Sequence, residues 1–563
     1  LFAIPTVLSI VAAVVLRRKT YYVLRPLFIL SVMFPALVLL SMLPLPQIFD
    51  NFPPVRQKAQ NAEVQDAVTK AGQLDLVDND IQLFSASRNR GGTARMFLLA
   101  LSAFAAIACA SSMSFRLRQQ CFYWTMLLAA GIGLAGYVSQ HIVPQGKSIW
   151  WMFEVAHGRP VGCFLNRNHF GGFLALVAPV AAVLLARSIM RRRIWLMLMS
   201  TCCFASLSVA MVSSLSRGAW LSGVAGVAAC MLYMTARWRI RLVVPLALTL
   251  LIAAAGIFYT SDQAVQERAE SLVDAVRQPG STLRLQTWKD ALPVIADYPL
   301  AGTGLNAFEM VFPQYRSTST RKTIAHVENE FIQLPLELGI PTCLVLAALV
   351  LLFVRHATAS LPRQTEGTVL GRRTYQAILA GSSTAAAVHA FFDFSIRSPL
   401  YLLTFAVIAG CCLFSRDEAA GGACRHGPVL RAGRVWACAA AIAIVISFFH
   451  RQIMLYDSSD WIQTAEVGEL SEALEWTPTS WQCWYHLGRM AIIEGGRERK
   501  QYGRQCMETA VQYDPKNYRL WHQLCLVRLR NGDREGALDA YRELKKLRSW
   551  VDVPQLRKEK GDT

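Results

Sequence analysis

The chain has 563 residues, 53% hydrophobic and 17% charged, with a mean hydropathy of +0.31 and a formal net charge of +19. That balance excludes a soluble globular protein, because nearly uncharged apolar stretches of about 17 to 22 residues recur, the length of a bilayer-crossing helix. The positive charge does not mark a nucleic-acid binder either, since its placement along the chain has another cause.

Continuous apolar runs mean helices in lipid, where the backbone must satisfy its own hydrogen bonds. About twelve spans are predicted, roughly over 1–16, 26–45, 96–114, 121–139, 169–186, 194–213, 219–236, 242–260, 339–354, 374–393, 398–414 and 435–450. The first opens at Leu1 with no charged leader or small-residue cleavage site, which reads as a shortened start rather than a signal peptide. Alternate connections carry 21 Lys and Arg, among them Arg17, Arg18, Lys19, Arg191 to Arg193, Arg372 and Arg373, against three acids, Glu366, Asp417 and Glu418. Nearly all of the net charge therefore sits in one set of loops, which the positive-inside bias places in the cytoplasm. Residues 46–95, 140–168, the corners 214–218 and 394–397, the insert 261–338 and everything after residue 450 then face outward. The 14 cysteines lie mostly within spans and lack metal-ligand spacing, so they read as small packing residues.

Outward-facing charge beside lipid is costly and needs a reason. In chain order, "GCFLNRNHFGGFLAL" (162–176) places Asn166, Arg167, Asn168 and His169 at the external start of the fifth span, with Gly171 and Gly172 permitting close helix packing. "SSLSRGAW" (213–220) sets Arg217 at an external corner, against the positive-inside bias; its guanidinium is a fork suited to phosphate oxygens. In "STLRLQTWKDALPVIADYPLAGTGLNAF" (281–308), Ser281 or Thr282 caps a surface helix with Leu285, Trp288, Leu292 and Ile295 at helical spacing, ended by Pro299, Gly302 and Gly304. Arg284 falls in its first turn, where a cation opposes the helix dipole and a bound anion would relieve it. "AHVENEFIQLPLELG" (325–339) brings His326, Glu328 and Glu330 to the approach of the ninth span. Histidine or a desolvated glutamate is a candidate general base there. "HAFFDFSIRSPL" (389–400) puts His389 and Asp393 one helical turn apart, as a structural pair or as shapers of the site.

After residue 450 the pattern changes. Ala473, Pro478 and Trp484 recur 37 positions later as Ala510, Pro515 and Trp521, and "NGDREGALDAYREL" (531–544) fits half of a further unit. The period slightly exceeds the ~34 residues of a tetratricopeptide repeat, which it resembles. Such repeats stack helix pairs into a docking surface for protein partners.

"SLSRG", the Arg284-to-Phe308 stretch and "HVENEFIQL" directly before a span together resemble the O-antigen ligase and polymerase superfamily of bacterial membrane glycosyltransferases. "NRNHFGGFLAL" and the His389–Asp393–Pro399 element are similar to its exopolysaccharide-polymerase branch. The resemblance covers roughly residues 160–400. It implies metal-independent glycosyl transfer, with no cofactor, on the periplasmic face of the bacterial inner membrane. The donor would be a glycan on undecaprenyl pyrophosphate, and the acceptor a lipid A core sugar, another lipid-linked glycan or a protein side chain. The family's two pyrophosphate-binding arginines map onto Arg217 and Arg284. Its catalytic histidine position, just before an asparagine, maps onto Glu328 before Asn329, with His326 two residues earlier; the base is either Glu328 supported by His326, or His326 after a local shift.

The expectation is thus an all-α polytopic membrane bundle with a C-terminal α-helical repeat domain. Residues 1–160 form N-terminal membrane helices, 161–450 the ligase-like core with its external loop 261–338, and 451–563 a periplasmic tail. Polymerisation is favoured over ligation, because a partner-docking tail suits an assembly line; protein O-oligosaccharyl transfer is the alternative. A twelve-span transporter using His389 and Asp393 as a proton relay would have its long connection inside after span six, whereas here that corner is short and external. A non-enzymatic scaffold leaves Arg217 and Arg284 without a role.

Overall fold

The computed structural model describes residues 89–141, 148–149, 153–154, 161–234, 283–319, 324–359, 372–413, 470, 474 and 480–557. The spans expected over 1–16, 26–45, 242–260 and 435–450 lie outside the described residues, as do most of the insert 46–95 and the capping pair Ser281 and Thr282. The other eight expected spans fall on helices.

These are α1 (Arg90–Ser112), α2 (Phe115–His141), α3 (Arg167–Met190), α4 (Ile194–Ser213), α5 (Arg217–Met234), α8 (Glu330–Ala359), α9 (Arg372–Phe392) and α10 (Pro399–Cys411); α6 (Leu283–Asp297) and the short α7 (Phe308–Val311) lie between α5 and α8. A two-residue antiparallel ladder, β1 (Ser148–Ile149) with β2 (Phe153–Glu154), is the one named sheet among the described residues. Among the described residues five helices, α1 to α4 and α8, are long and apolar enough to cross a membrane.

Helix α3 is apolar all round, with Phe170 through Ala186 buried, and a helix with no polar stripe belongs in the centre of a bundle. It packs against α4, α5 and α9. Small residues set the spacing: a Cβ on Gly226 of α5 would lie 2.8 Å from the Ala385 Cβ of α9, and one on Gly381 would lie 2.6 Å from the Pro179 Cβ of α3. Without a hydrophobic force between helices in lipid, this close backbone approach is what holds them. Apolar side chains on the perimeter, Trp195 at 84% exposure and Leu351 at 70%, suit contact with lipid tails.

Helix α8 starts nine residues before the predicted span, and Gly339 (φ 74°, ψ 164°) breaks it. Pro341 has no N–H to offer the Glu337 carbonyl, so the break leaves acceptors without helical partners. The loop between α6 and α8 satisfies them, and the Ile340 N–H as well. Gly304 N–H donates to Glu337 O (2.9 Å), Thr303 N–H to Leu336 O (3.0 Å), and Ile340 N–H donates to Pro299 O (2.8 Å). Glycine is required at the crossing: a Cβ on Gly302 would lie 2.3 Å from Glu337 O, and one on Gly339 2.2 Å from Leu300 O. Gly302 therefore does more than end α6; it lets the loop be sewn onto α8.

Helix α6 forms as its spacing predicts, but its inward face is offset. Thr287, Asp290, Ala291 and Val294 are buried, while Leu292 is 55% exposed. The polar members find partners: the Asp290 carboxylate accepts from Ser317 N (2.7 Å) and Gln286 Nε2 (2.8 Å).

The tail contributes α11 (Trp481–Glu494), α12 (Arg497–Tyr513), α13 (Tyr518–Arg530), α14 (Arg534–Leu547) and α15 (Pro554–Arg557). Consecutive helices pack around a separate core of Trp484, Leu487, Tyr502, Cys506, Leu524, Ala537 and Leu544. The recurring Pro and Trp have a local reason in the second unit, where Trp521 Nε1–H donates to Pro515 O at 2.8 Å. One buried ion pair joins tail to loop, Arg316 with Asp514 at 2.6 Å.

Candidate functional site

The corner before α5 shows how the sequence presents Arg217. Ser216 is the N-cap, its Oγ accepting from Ala219 N at 3.4 Å, so Arg217 is the first helical residue. Gly218 follows because α5 starts against the end of α9: a Cβ there would lie 2.8 Å from the Phe392 Cβ. Arg217 consequently faces His389, Phe392 and Asp393. Asn168, Ser216, Gly218 and Arg284 complete the lining of this cleft. Burial, and then the charge of nearby Arg284, pull the Arg217 guanidinium below its ordinary pKa, so the two cations feel each other. An anion between them would relieve both the desolvation and the repulsion.

Arg284, in the first turn of α6, is ion-paired with Glu328; Nε donates to Glu328 Oε2 at 2.6 Å and Nη2 contacts the same oxygen. Glu328 reaches it from a left-handed backbone conformation (φ 58°), an uncommon state for a side-chain-bearing residue and one associated with functional loops. Asn329, beside it, is buried and uses Oδ1 to cap α8 at Phe331 N (3.0 Å).

His326 lies on a different neighbour set. Its ring stacks on Phe394 with centroids 3.8 Å apart, and Gln333 Nε2 lies 3.0 Å from its Nδ1. The Gln333 amide is oriented by its other end, since Oε1 accepts from the Val327 backbone N–H at 3.0 Å. Nε2 is therefore the donor, to His326 Nδ1 and to Glu337 Oε1 (2.9 Å). Burial, and then the charge of Arg397, hold His326 well below its ordinary pKa. A neutral ring whose Nδ1 accepts carries its proton on Nε2. In this arrangement His326 offers a donor.

Beneath it is a network that the sequence motifs did not flag. Arg397 donates from Nε to Glu330 Oε1 (3.0 Å) and from Nη2 to Glu337 Oε2 (2.9 Å), all three side chains being buried. Burial opposes its charge, but Glu330 and Glu337 together raise its pKa above the ordinary value. Glu337 Oε2 also accepts from the Asn306 backbone N–H at 2.9 Å. Loop, broken helix and the 3-10 turn Ser395–Arg397 are thus tied to one carboxylate. The available signal was the one that singled out Arg217: an arginine at a corner predicted to face outward, with glutamates in an apolar run as possible partners.

The remaining predicted residues divide. His389 and Asp393 do meet, with Nε2 to Oδ2 at 3.3 Å and Ser395 Oγ donating to the same Oδ2 at 2.7 Å. Since that hydroxyl proton goes to the carboxylate, His389 Nε2 is the donor to Ser395 Oγ (3.0 Å). Gly172 is indispensable here, because a Cβ on it would sit 2.2 Å from His389 Nε2. His169 Nε2 approaches Asp393 Oδ2 to 3.8 Å. Asn166 is the N-cap of α3, accepting from Asn168 N at 2.8 Å, and Arg167 is exposed and does not line the cleft. Among the described residues no group of three or more His, Cys, Asp or Glu is arranged to hold a metal ion.

Ends of α3, α5 and α9 therefore converge with α6 on one cleft that Arg217 and Arg284 line. No curated protein matches the chain. A family model described as O-Antigen ligase matches residues 202–347, from within α4 to within α8, roughly a quarter of the chain, including Arg217, Arg284, His326 and Glu328. At family level that match supports a multi-pass membrane protein similar to the glycosyltransferases of the O-antigen ligase superfamily.

Proposed function

We propose that the chain is an inner-membrane glycosyltransferase that takes a glycan from undecaprenyl pyrophosphate on the periplasmic face, in building a surface or exported polysaccharide. The observation that carries the reading is the pairing of Arg217 and Arg284 in one cleft, within the segment that matches the ligase family. Two guanidiniums facing each other across a cleft suit a diphosphate. Neutralising its charge makes it a leaving group, since preformed cations stabilise charge as it develops in the transition state.

Glu328 is the resting counter-ion of Arg284, and a diphosphate arriving at Arg284 displaces it. The released carboxylate then takes the proton of the attacking hydroxyl, and His326, on its own neighbour set, offers an Nε2–H to the substrate. The new bond forms at the anomeric carbon as the bond to the diphosphate oxygen breaks. The tail, a tetratricopeptide-like module in this reading, docks a partner of the assembly line.

Polymerisation is favoured over ligation, with protein glycosylation third. Deleting the gene and analysing the glycan tests this. Loss of long chains with single units retained means polymerase; intact chains left on the lipid carrier mean ligase. An unchanged glycan profile, including glycosylated proteins, overturns the proposal.

A further inference from the structure

The cleft holds more polar groups than a diphosphate uses. Asp393 is buried to 1% exposure and lines the cleft, yet its two oxygens are treated differently. Oδ2 accepts from Ser395 Oγ (2.7 Å) and faces His389 Nε2 (3.3 Å). Oδ1 has no hydrogen-bond partner among the described residues, and neither has His169 Nε2, which belongs to the same cluster. A buried polar atom without a partner costs about 1–3 kcal/mol, so two on neighbouring side chains, one an acceptor and one a ring nitrogen able to donate, call for an explanation.

A group that donates and accepts through one oxygen satisfies both. That is a hydroxyl. Donors on Oδ2 favour the charged carboxylate, which can only accept. Asp393 is accordingly built to hold an O–H. The neighbours fix this geometry: Gly172 makes room for the His389 ring, Ser222 Oγ lies 3.4 Å from His389 Nδ1, and the His169 ring stands edge-on to Phe394 at 4.6 Å.

We infer that Asp393 Oδ1 and His169 Nε2 form a seat for a sugar hydroxyl, beside the arginines that take the diphosphate. The hydroxyl donates to Asp393 and accepts from the N–H of His169. This rests on the glycosyltransferase reading, and the sugar belongs to the donor glycan or to the acceptor. Asp393 and His169 are here sugar-binding and orienting groups, whereas the proton of the reaction goes to Glu328.

The test uses full-length protein in lipid nanodiscs, comparing affinity for bare undecaprenyl pyrophosphate with that for lipid-linked glycan extracted from cells lacking the protein. Glycan transfer is followed in complemented cells. Asp393→Asn and, independently, His169→Leu should bind the bare carrier within about 3-fold of wild type. If the hydroxyl is the donor's, both variants lose at least about 10-fold of the added affinity conferred by the glycan. If it is the acceptor's, both affinities hold and transfer falls at least about 10-fold. His169→Gln, which keeps an N–H, should recover part of the loss, a recovery that a purely structural role would not produce. Wild-type affinities with wild-type transfer overturn the seat, as does an equal loss of both affinities in a variant that melts like wild type. Failure of the underlying reading looks different: wild-type protein itself then shows no affinity for bare undecaprenyl pyrophosphate.

Discussion

Two charge clusters, one buried and one partly exposed, lie a few residues apart and are built in opposite ways. Around Arg397, nearly every polar atom has a partner: two glutamates, a glutamine amide and a backbone N–H close the network. In the cleft the two cations Arg217 and Arg284 feel each other, Arg284 being paired with Glu328, and beside them Asp393 Oδ1 and His169 Nε2 have no hydrogen-bond partner among the described residues. A satisfied network holds backbone in place, while an unsatisfied one is waiting for a ligand. In the proposed reading the first cluster is scaffold and the second the site, and charge content alone does not distinguish them.

The comparison breaks most decisively at Arg397. Arg397→Met should leave Glu330 and Glu337 facing each other buried and uncompensated, a loss of about 3–5 kcal/mol. Thermal unfolding of the detergent-solubilised protein reads this; an unchanged melting temperature would show that the network is not holding the fold. In the cleft the expectation reverses. Arg284→Ala should cut glycan transfer about 100- to 1,000-fold, as for loss of one transition-state donor. Its ion pair is a third exposed, so stability should change by under about 1 kcal/mol. Full transfer by a normally expressed variant would remove Arg284 from the diphosphate site.

Gln333→Ala probes the junction between the clusters. It strips a donor from His326 and Glu337 and the acceptor from Val327 N–H, which should cost about 1–3 kcal/mol. A neutral outcome in unfolding would mean that Gln333 does not set the His326 tautomer. The smallest expected effect is in pH. His326 is held neutral when folded, so the unfolded chain binds a proton that the folded one refuses once pH drops below about 6.5. Stability is present above that value and is lost as pH falls, by at most about 1.4 kcal/mol per unit. His326→Phe should flatten the melting-temperature slope between pH 7 and 5; an identical slope would mean that His326 titrates freely.

Much of this was legible before any coordinate. Hydropathy located the helices because lipid demands long apolar runs, and loop charge grouped the ends that converge. Arg217 stands out because a cation at a corner predicted to face outward is anomalous, and Arg284 because a cation in the first turn of a helix opposes its dipole. The segmental reading failed where a role depends on a distant partner. Nothing near Gly339 in sequence says that its break is closed by Gly302 and Gly304, and nothing near Glu328 says that it meets Arg284. Glu337 looked like one acid in an apolar helix until Asn306, Gln333 and Arg397 surrounded it.

The sequence by itself determined the membrane class, the helix positions described here and the side-chain types that any site could use, because those follow from local hydropathy, caps and charge bias. Only the tertiary structure decided which charges are satisfied. Hydrogen bonds between residues 31 to 67 positions apart, such as Asn306 to Glu337 and Arg397 to Glu330, turn one set of ions into scaffold and leave the other open. Their geometry is set by packing, which no local stretch of sequence encodes.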